Sequence, residues 1–99
     1  MNKQKISNLL GLAQRAGKII SGEEMVVKAI QEQKAKLVFL AHDAAPNLTK
    51  KIQDKSHYYQ VEVVTVFSTL ELSIAVGKSR KVLAVTDAGF TKKMRSLME

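Results

Sequence analysis

The 99-residue chain contains no cysteine and no tryptophan, and only one proline. Without cysteine there are no disulfides and no thiolate metal sites. Aromatic residues make up 5% of the chain, too few for a sheet that stacks bases on a row of rings. No apolar run reaches the roughly eighteen residues that a membrane-spanning helix needs. The opening Met1-Asn2-Lys3-Gln4-Lys5 lacks the apolar block and small-residue cleavage site of a secretory signal. Two histidines lie far apart in the chain, a poor basis for a metal site. Acidic residues are also scarce, 9 against 16 basic ones, which leaves a net charge of +7. A cytoplasmic protein with no membrane association and no cofactor is expected, and its excess charge favours a polyanion: nucleic acid first, acidic lipid second.

What is present reads as one domain over residues 1–99, with helix and strand patterns in alternation. Ile6, Leu9, Leu10 and Ala13 give a first helix, from Asn2 to Ala16, one apolar face, and Gly17 is placed to stop it. Lys18-Ile19-Ile20 reads as a very short strand. Ser21 and Glu24 have capping-box spacing and predict a second helix from Gly22 to Gln33. Met25, Val26, Ala29 and Ile30 would form its apolar stripe, with Glu24 and Lys28 outward. Lys36 to Ala41 has the continuous apolar pattern of an inner strand. His42-Asp43 ends it, Asp43 reads as a helix cap, and Pro46 suits a first helical turn. That third helix runs to about Ser56, with Leu48 and Ile52 inward. Val61 to Phe67 predicts another strand. Ser68 and Glu71 make a second capping box, and Gly77 closes the short helix that follows. After the cationic loop Lys78-Ser79-Arg80-Lys81 come a buried strand, Val82 to Val85, and a last helix capped by Asp87. Strands alternating with helices give an α/β chain, a three-layer α/β/α sandwich around a small mixed sheet of about four strands.

No catalytic constellation emerges. Gly11 to Lys18 has almost the spacing of a phosphate-cradling loop, but it falls in an amphipathic helix whose N–H groups are occupied. Adjacent His42 and Asp43 at a strand end point in different directions, with no nucleophile marked nearby. A binding surface is the stronger reading. Gly22 permits close approach to the backbone, and the free N–H groups at the start of its helix can accept anionic or acceptor groups. The Lys78-to-Lys81 turn holds three cations and no acid, which does nothing for folding and suits a phosphate partner. In sheets of this class ligands meet the loops at one edge, and Gly22, Asp43 and the Lys78–Arg80 loop are expected to converge there.

Several stretches, in order, carry a resemblance: Gly22 to Ile30, Lys34 to Ala44, Glu71 to Lys78 and Val82 to Phe90. They make the chain similar to the kink-turn-binding ribosomal protein family, the L-seven-Ae / L-thirty-e family, and most of all to its small bacterial members of YlxQ type. The resemblance implies an α/β/α sandwich without catalysis that binds a sharply bent RNA helix–loop–helix containing sheared G·A pairs. In such relatives the second helix begins Gly-x-Asn-Glu-x-x-Lys and addresses guanines in the widened groove. Here Gly22 and Lys28 match, Glu24 stands in the Asn position and Met25 in the Glu position. A thioether cannot accept guanine N–H protons as a carboxylate does, so the balance shifts towards backbone contact. The family's second contact is an apolar loop after the fourth helix; here Val76 and Gly77 start it, and Lys78, Ser79 and Arg80 fill it. The expected RNA-binding set is therefore Gly22, Glu23, Glu24, Met25, Lys28, Asp43, Val76, Gly77, Lys78, Ser79 and Arg80. The expected partner is structured RNA, ribosomal or otherwise kink-turn-containing, held by a monomer. The alternative is an RNA-recognition module acting in trans for an RNA-modifying or RNA-processing enzyme.

Overall fold

The computed structural model describes residues 1–99. Along the chain run α1 (Lys3–Arg15), β1 (Ile19–Ser21), α2 (Glu23–Gln31), β2 (Leu37–Leu40), α3 (Pro46–Tyr58), β3 (Val63–Val64), α4 (Thr69–Val76), β4 (Val82–Val85) and α5 (Ala88–Met98). The strands stand in the order β1-β4-β2-β3. β2 and β3 are parallel, while β4 runs antiparallel to both β1 and β2.

All residues of β2 and β4 are buried, because both strands are covered on both faces. Leu37, Phe39, Leu83 and Val85 face α1, α4 and α5, where they meet Ile6, Leu10, Leu72 and Met94. Val38, Leu40, Val82 and Ala84 face α2 and α3, where they meet Val26, Ile30 and Ile52. The strand period of two thus divides one apolar run between two cores, and the result is the expected three-layer sandwich. Register also decides which loops meet. Ser21 pairs with Leu83 and Leu40 with Val82, so the ends of β1 and β2 and the start of β4 share one edge of the sheet.

Several local expectations were overridden. Ser21 does not cap α2; it is the last residue of β1, and Gly22 is the N-cap, at φ 95° and ψ 151° with no side-chain cap bond. Pairing with β4 claims the serine before the helix can. Met25 is 55% exposed, because the buried stripe of α2 is Val26, Ala29 and Ile30, and a residue directly before Val26 lies a quarter-turn round the helix. α2 also stops at Gln31, short of Gln33. The strand expected over Val61–Phe67 contracts to Val63–Val64. At its ends the Val61 N–H closes α3 on the Ser56 carbonyl, and the Phe67 carbonyl accepts from His42 N–H. Asp43 does not cap α3, whose N-cap is Ala45. By contrast the Ser68–Glu71 capping box forms, Gly77 ends α4 in the left-handed conformation, and Asp87 accepts from Phe90 N–H at 2.8 Å.

Candidate nucleic-acid interface

The loop after α4 is folded back on its own helix. The Ser73 hydroxyl donates to the Thr69 carbonyl at 2.6 Å and accepts from Arg80 N–H at 3.0 Å. The Arg80 side chain then crosses to β1, where its Nε donates to Ser21 Oγ at 2.8 Å, and one terminal nitrogen donates to the Ser79 carbonyl at 2.7 Å. A guanidinium has five N–H donors in a rigid fork, so these bonds aim the group without using it up. Gly22 N–H bonds to the Val82 carbonyl at 3.1 Å, and this ties the start of α2 to the strand that the cationic loop enters. A Cβ at Gly22 would meet nothing within 4 Å. The position is open, and its positive φ is one that side chains rarely adopt.

On α2 Glu24, Met25 and Lys28, and in the loop Gly77, Lys78, Ser79 and Lys81, are all exposed. Lys28, Lys78 and Lys81 have no carboxylate within ion-pair distance, whereas Glu23 is held by Lys51 at 2.9 Å. The pairing offsets the acid of Glu23; Glu24 stays unpaired, so three free lysines outnumber one free carboxylate in the local field. Lys28 lies one turn beyond Glu24, on the same side of α2.

Asp43 lies at the same edge but serves α4. Its Oδ1 accepts from Thr69 N–H at 2.9 Å and from the Thr69 hydroxyl at 2.7 Å. These two bonds, the hydroxyl's first, hold the Asp43 carboxyl below the usual carboxylate range. Glu71 is lowered too, by the Ser68 N–H and then by Lys3, whose ammonium sits 3.1 Å away. The carboxylates at the head of α4 therefore stay ionised where the helix dipole favours them. Asp43 makes no hydrogen bond to His42.

Val76 departs from the expected surface set. It is 7% exposed and packed in the core beneath α4, so its side chain is not presented to a ligand. Conversely, Ser21 and Ser73 position Arg80 and were not anticipated. Ser21 read as a cap, and a mid-helix serine such as Ser73 carries no local signal of a bond to a later loop.

The ribosomal protein L7Ae/L30e/S12e/Gadd45 family model matches residues 4–95. The chain belongs to this family. It is 50% identical to RNA-binding protein YlxQ of Enterococcus faecium over 99% of this chain and 95% of that one. It is 49% identical to the Bacillus subtilis (strain 168) protein of the same name over 92% of each chain. Within the family it is thus of the bacterial YlxQ type. A solved structure from Bacillus halodurans C, of a protein with unknown function, matches with a TM-score of 0.90 at 44% identity, covering 95% of this chain and 96% of that one.

Proposed function

We propose that this family member is a non-enzymatic RNA-binding protein that grips sharply bent, kink-turn-like RNA at the junction of α2 and the α4–β4 loop. The observation that carries the reading is the Arg80–Ser21 bond, which holds a cation beside the open backbone of Gly22. Gly22 lets a nucleotide approach the first turn of α2, Lys28 and Glu24 face the groove, and Lys78 and Arg80 clamp the phosphates. Ser79 and Gly77 shape the clamp. Asp43 anchors α4 and so supports the loop from behind. Glu23 is tied to Lys51 and contributes its backbone. The names of the two YlxQ relatives support RNA as the partner. A structured RNA of the ribosome in the cytoplasm is the proposed target, bound by one copy of the chain.

The test is an anisotropy titration with three RNAs of equal length: a kink-turn, the same RNA with its G·A pairs replaced by Watson–Crick pairs, and a straight duplex. The kink-turn should bind tightest, and all three should weaken steeply with salt. Equal affinity for the three would remove kink-turn recognition and leave general RNA binding. Co-sedimentation with ribosomal particles, lost on ribonuclease treatment, checks the ribosomal assignment.

A second reading, recognition in trans for an RNA-processing enzyme, is favoured by Leu70 and Ile74 on the outer side of α4, 68% and 71% exposed. Pull-down with and without ribonuclease separates the two. Partners retained after RNA is destroyed support this reading; their loss supports the first.

A further inference from the structure

At the opposite end of the sheet, where β2 begins and β4 ends, an open cleft of about 770 Å³ lies between α5 and the turns that follow α2 and α3. It has the volume of a small-ligand site. Gln33 and Gln60 both line it, and they are the two non-glycine residues of the chain with positive φ, at 60° and 59°. Each sits just past a helix end, where the Lys34 N–H returns to the Ala29 carbonyl and the Val61 N–H to the Ser56 carbonyl. Glycine is the usual occupant of such a position. Here two amide side chains stand there instead, at a cost in backbone strain.

Thr91 lines the same cleft, is 4% exposed, and its hydroxyl has no hydrogen-bond partner. An unmatched buried hydroxyl is destabilising, so the wall of the cleft carries a local cost at Thr91. Lys36 and Lys92 flank the cleft without a carboxylate at ion-pair distance, Arg95 is engaged by Glu62 at 3.0 Å, and Glu99 is the one acidic residue of the lining. Tyr59 offers a half-buried ring.

We propose that this cleft is a second nucleic-acid contact that takes one nucleotide of a single-stranded segment. Amides both donate and accept, which matches the edge of a base and is wasted on a bare phosphate. An aromatic face is a stacking platform for any base. The cleft also receives the C-terminal ends of α2 and α3, whose partial negative charge disfavours an isolated anion. Lys36 and Lys92 then hold the phosphate while Gln33 and Gln60 read the base. This site is separate from the Gly22–Arg80 junction and stands or falls independently of it.

The experiment is a two-dimensional amide NMR titration of the full chain with a uridylate octamer, uridine 5′-monophosphate and inorganic phosphate in turn. The octamer should shift the side-chain amides of Gln33 and Gln60 and the backbone signal of Thr91 saturably; phosphate alone should not. Gln60→Gly relieves the strain and Lys92→Ala changes an exposed side chain with no partner, so both should fold. Each should weaken octamer binding by about fivefold or more, the worth of one hydrogen bond. Binding of a folded RNA at the other end should be unchanged, and Arg80→Ala should show the reverse pattern. Unmoved amides, octamer affinity unchanged in both variants, or shifts reproduced by phosphate alone would each overturn the proposal. Saturation by the mononucleotide with none by the octamer would overturn the single-strand assignment and make the cleft a free-nucleotide site.

Discussion

Replacing Arg80 with alanine tests the proposed RNA surface at its centre. The guanidinium is held by Ser21 Oγ at 2.8 Å and by the Ser79 carbonyl at 2.7 Å, so most of its rotamer freedom is already lost before RNA arrives. Its contact energy is then little reduced by ordering, and Arg80→Ala should cost ~1–3 kcal/mol of binding. That corresponds to a rise in Kd of roughly 5- to 150-fold. If the contact is to phosphate, the slope of log Kd against log salt should also fall by about one. Ser21→Ala leaves the cation but frees it to wander, and should cost less, ~0.5–1.5 kcal/mol. In the Arg80→Ala background the serine has nothing left to hold, so the second substitution should add almost nothing. Anisotropy titrations of the four proteins against a kink-turn RNA, each at several potassium chloride concentrations, close the cycle. An Arg80→Ala affinity within twofold of the parent, or fully additive losses, would falsify the idea of a serine-aimed cation.

Other consequences are as direct. Gly22→Ala should lower stability by ~1–3 kcal/mol through backbone strain alone, although the added methyl meets no atom within 4 Å; an unchanged thermal midpoint would refute this. Lys28→Ala should weaken RNA binding without altering the melting temperature, since the ammonium has no protein partner; undiminished affinity would remove Lys28 from the surface. Asp43 and Glu71 have lowered folded-state pKa values, so the stability they lend is present above the ordinary carboxylate range and disappears as pH falls through those lowered values. Carboxyl carbon NMR should show both titrating below ordinary carboxylates while the amides at the head of α4 lose exchange protection; midpoints at or above the ordinary range would contradict the assignment. Glu24→Asn with Met25→Glu should sharpen discrimination for G·A-containing RNA, read as the affinity ratio between the kink-turn and its Watson–Crick counterpart.

The pattern of the chain was a reliable guide wherever one face or one cap decided the outcome. Ile6, Leu9, Leu10 and Ala13 occupy the inner face of α1, and Leu37 to Leu40 form the buried inner strand. The Ser68–Glu71 box and Gly77 bound α4. These are local choices, in which spacing and side-chain chemistry suffice. Local rules misled where a distant partner competed for the same group. Ser21 has the spacing of a cap, yet strand pairing and Arg80 take it. Asp43 follows a strand and precedes a helix, yet it turns to Thr69, 26 residues further on.

Of the proposed surface, residue types were legible and arrangement was not. Gly22, Lys28 and the Lys78–Arg80 loop stood out by charge and by glycine, while the supports Ser21 and Ser73 did not, because a hydroxyl's partner is set by what lies across from it. Val76, expected at the start of the contact loop, is the last residue of α4 with its side chain in the core. The apolar periods and caps in the sequence determined five helices and four strands, since these depend mostly on near neighbours, and composition alone made the chain basic. Only the tertiary structure decided that the end of β1 and the start of β4 meet, because strand register joins residues about sixty positions apart, and with it that a serine read as a cap instead aims an arginine.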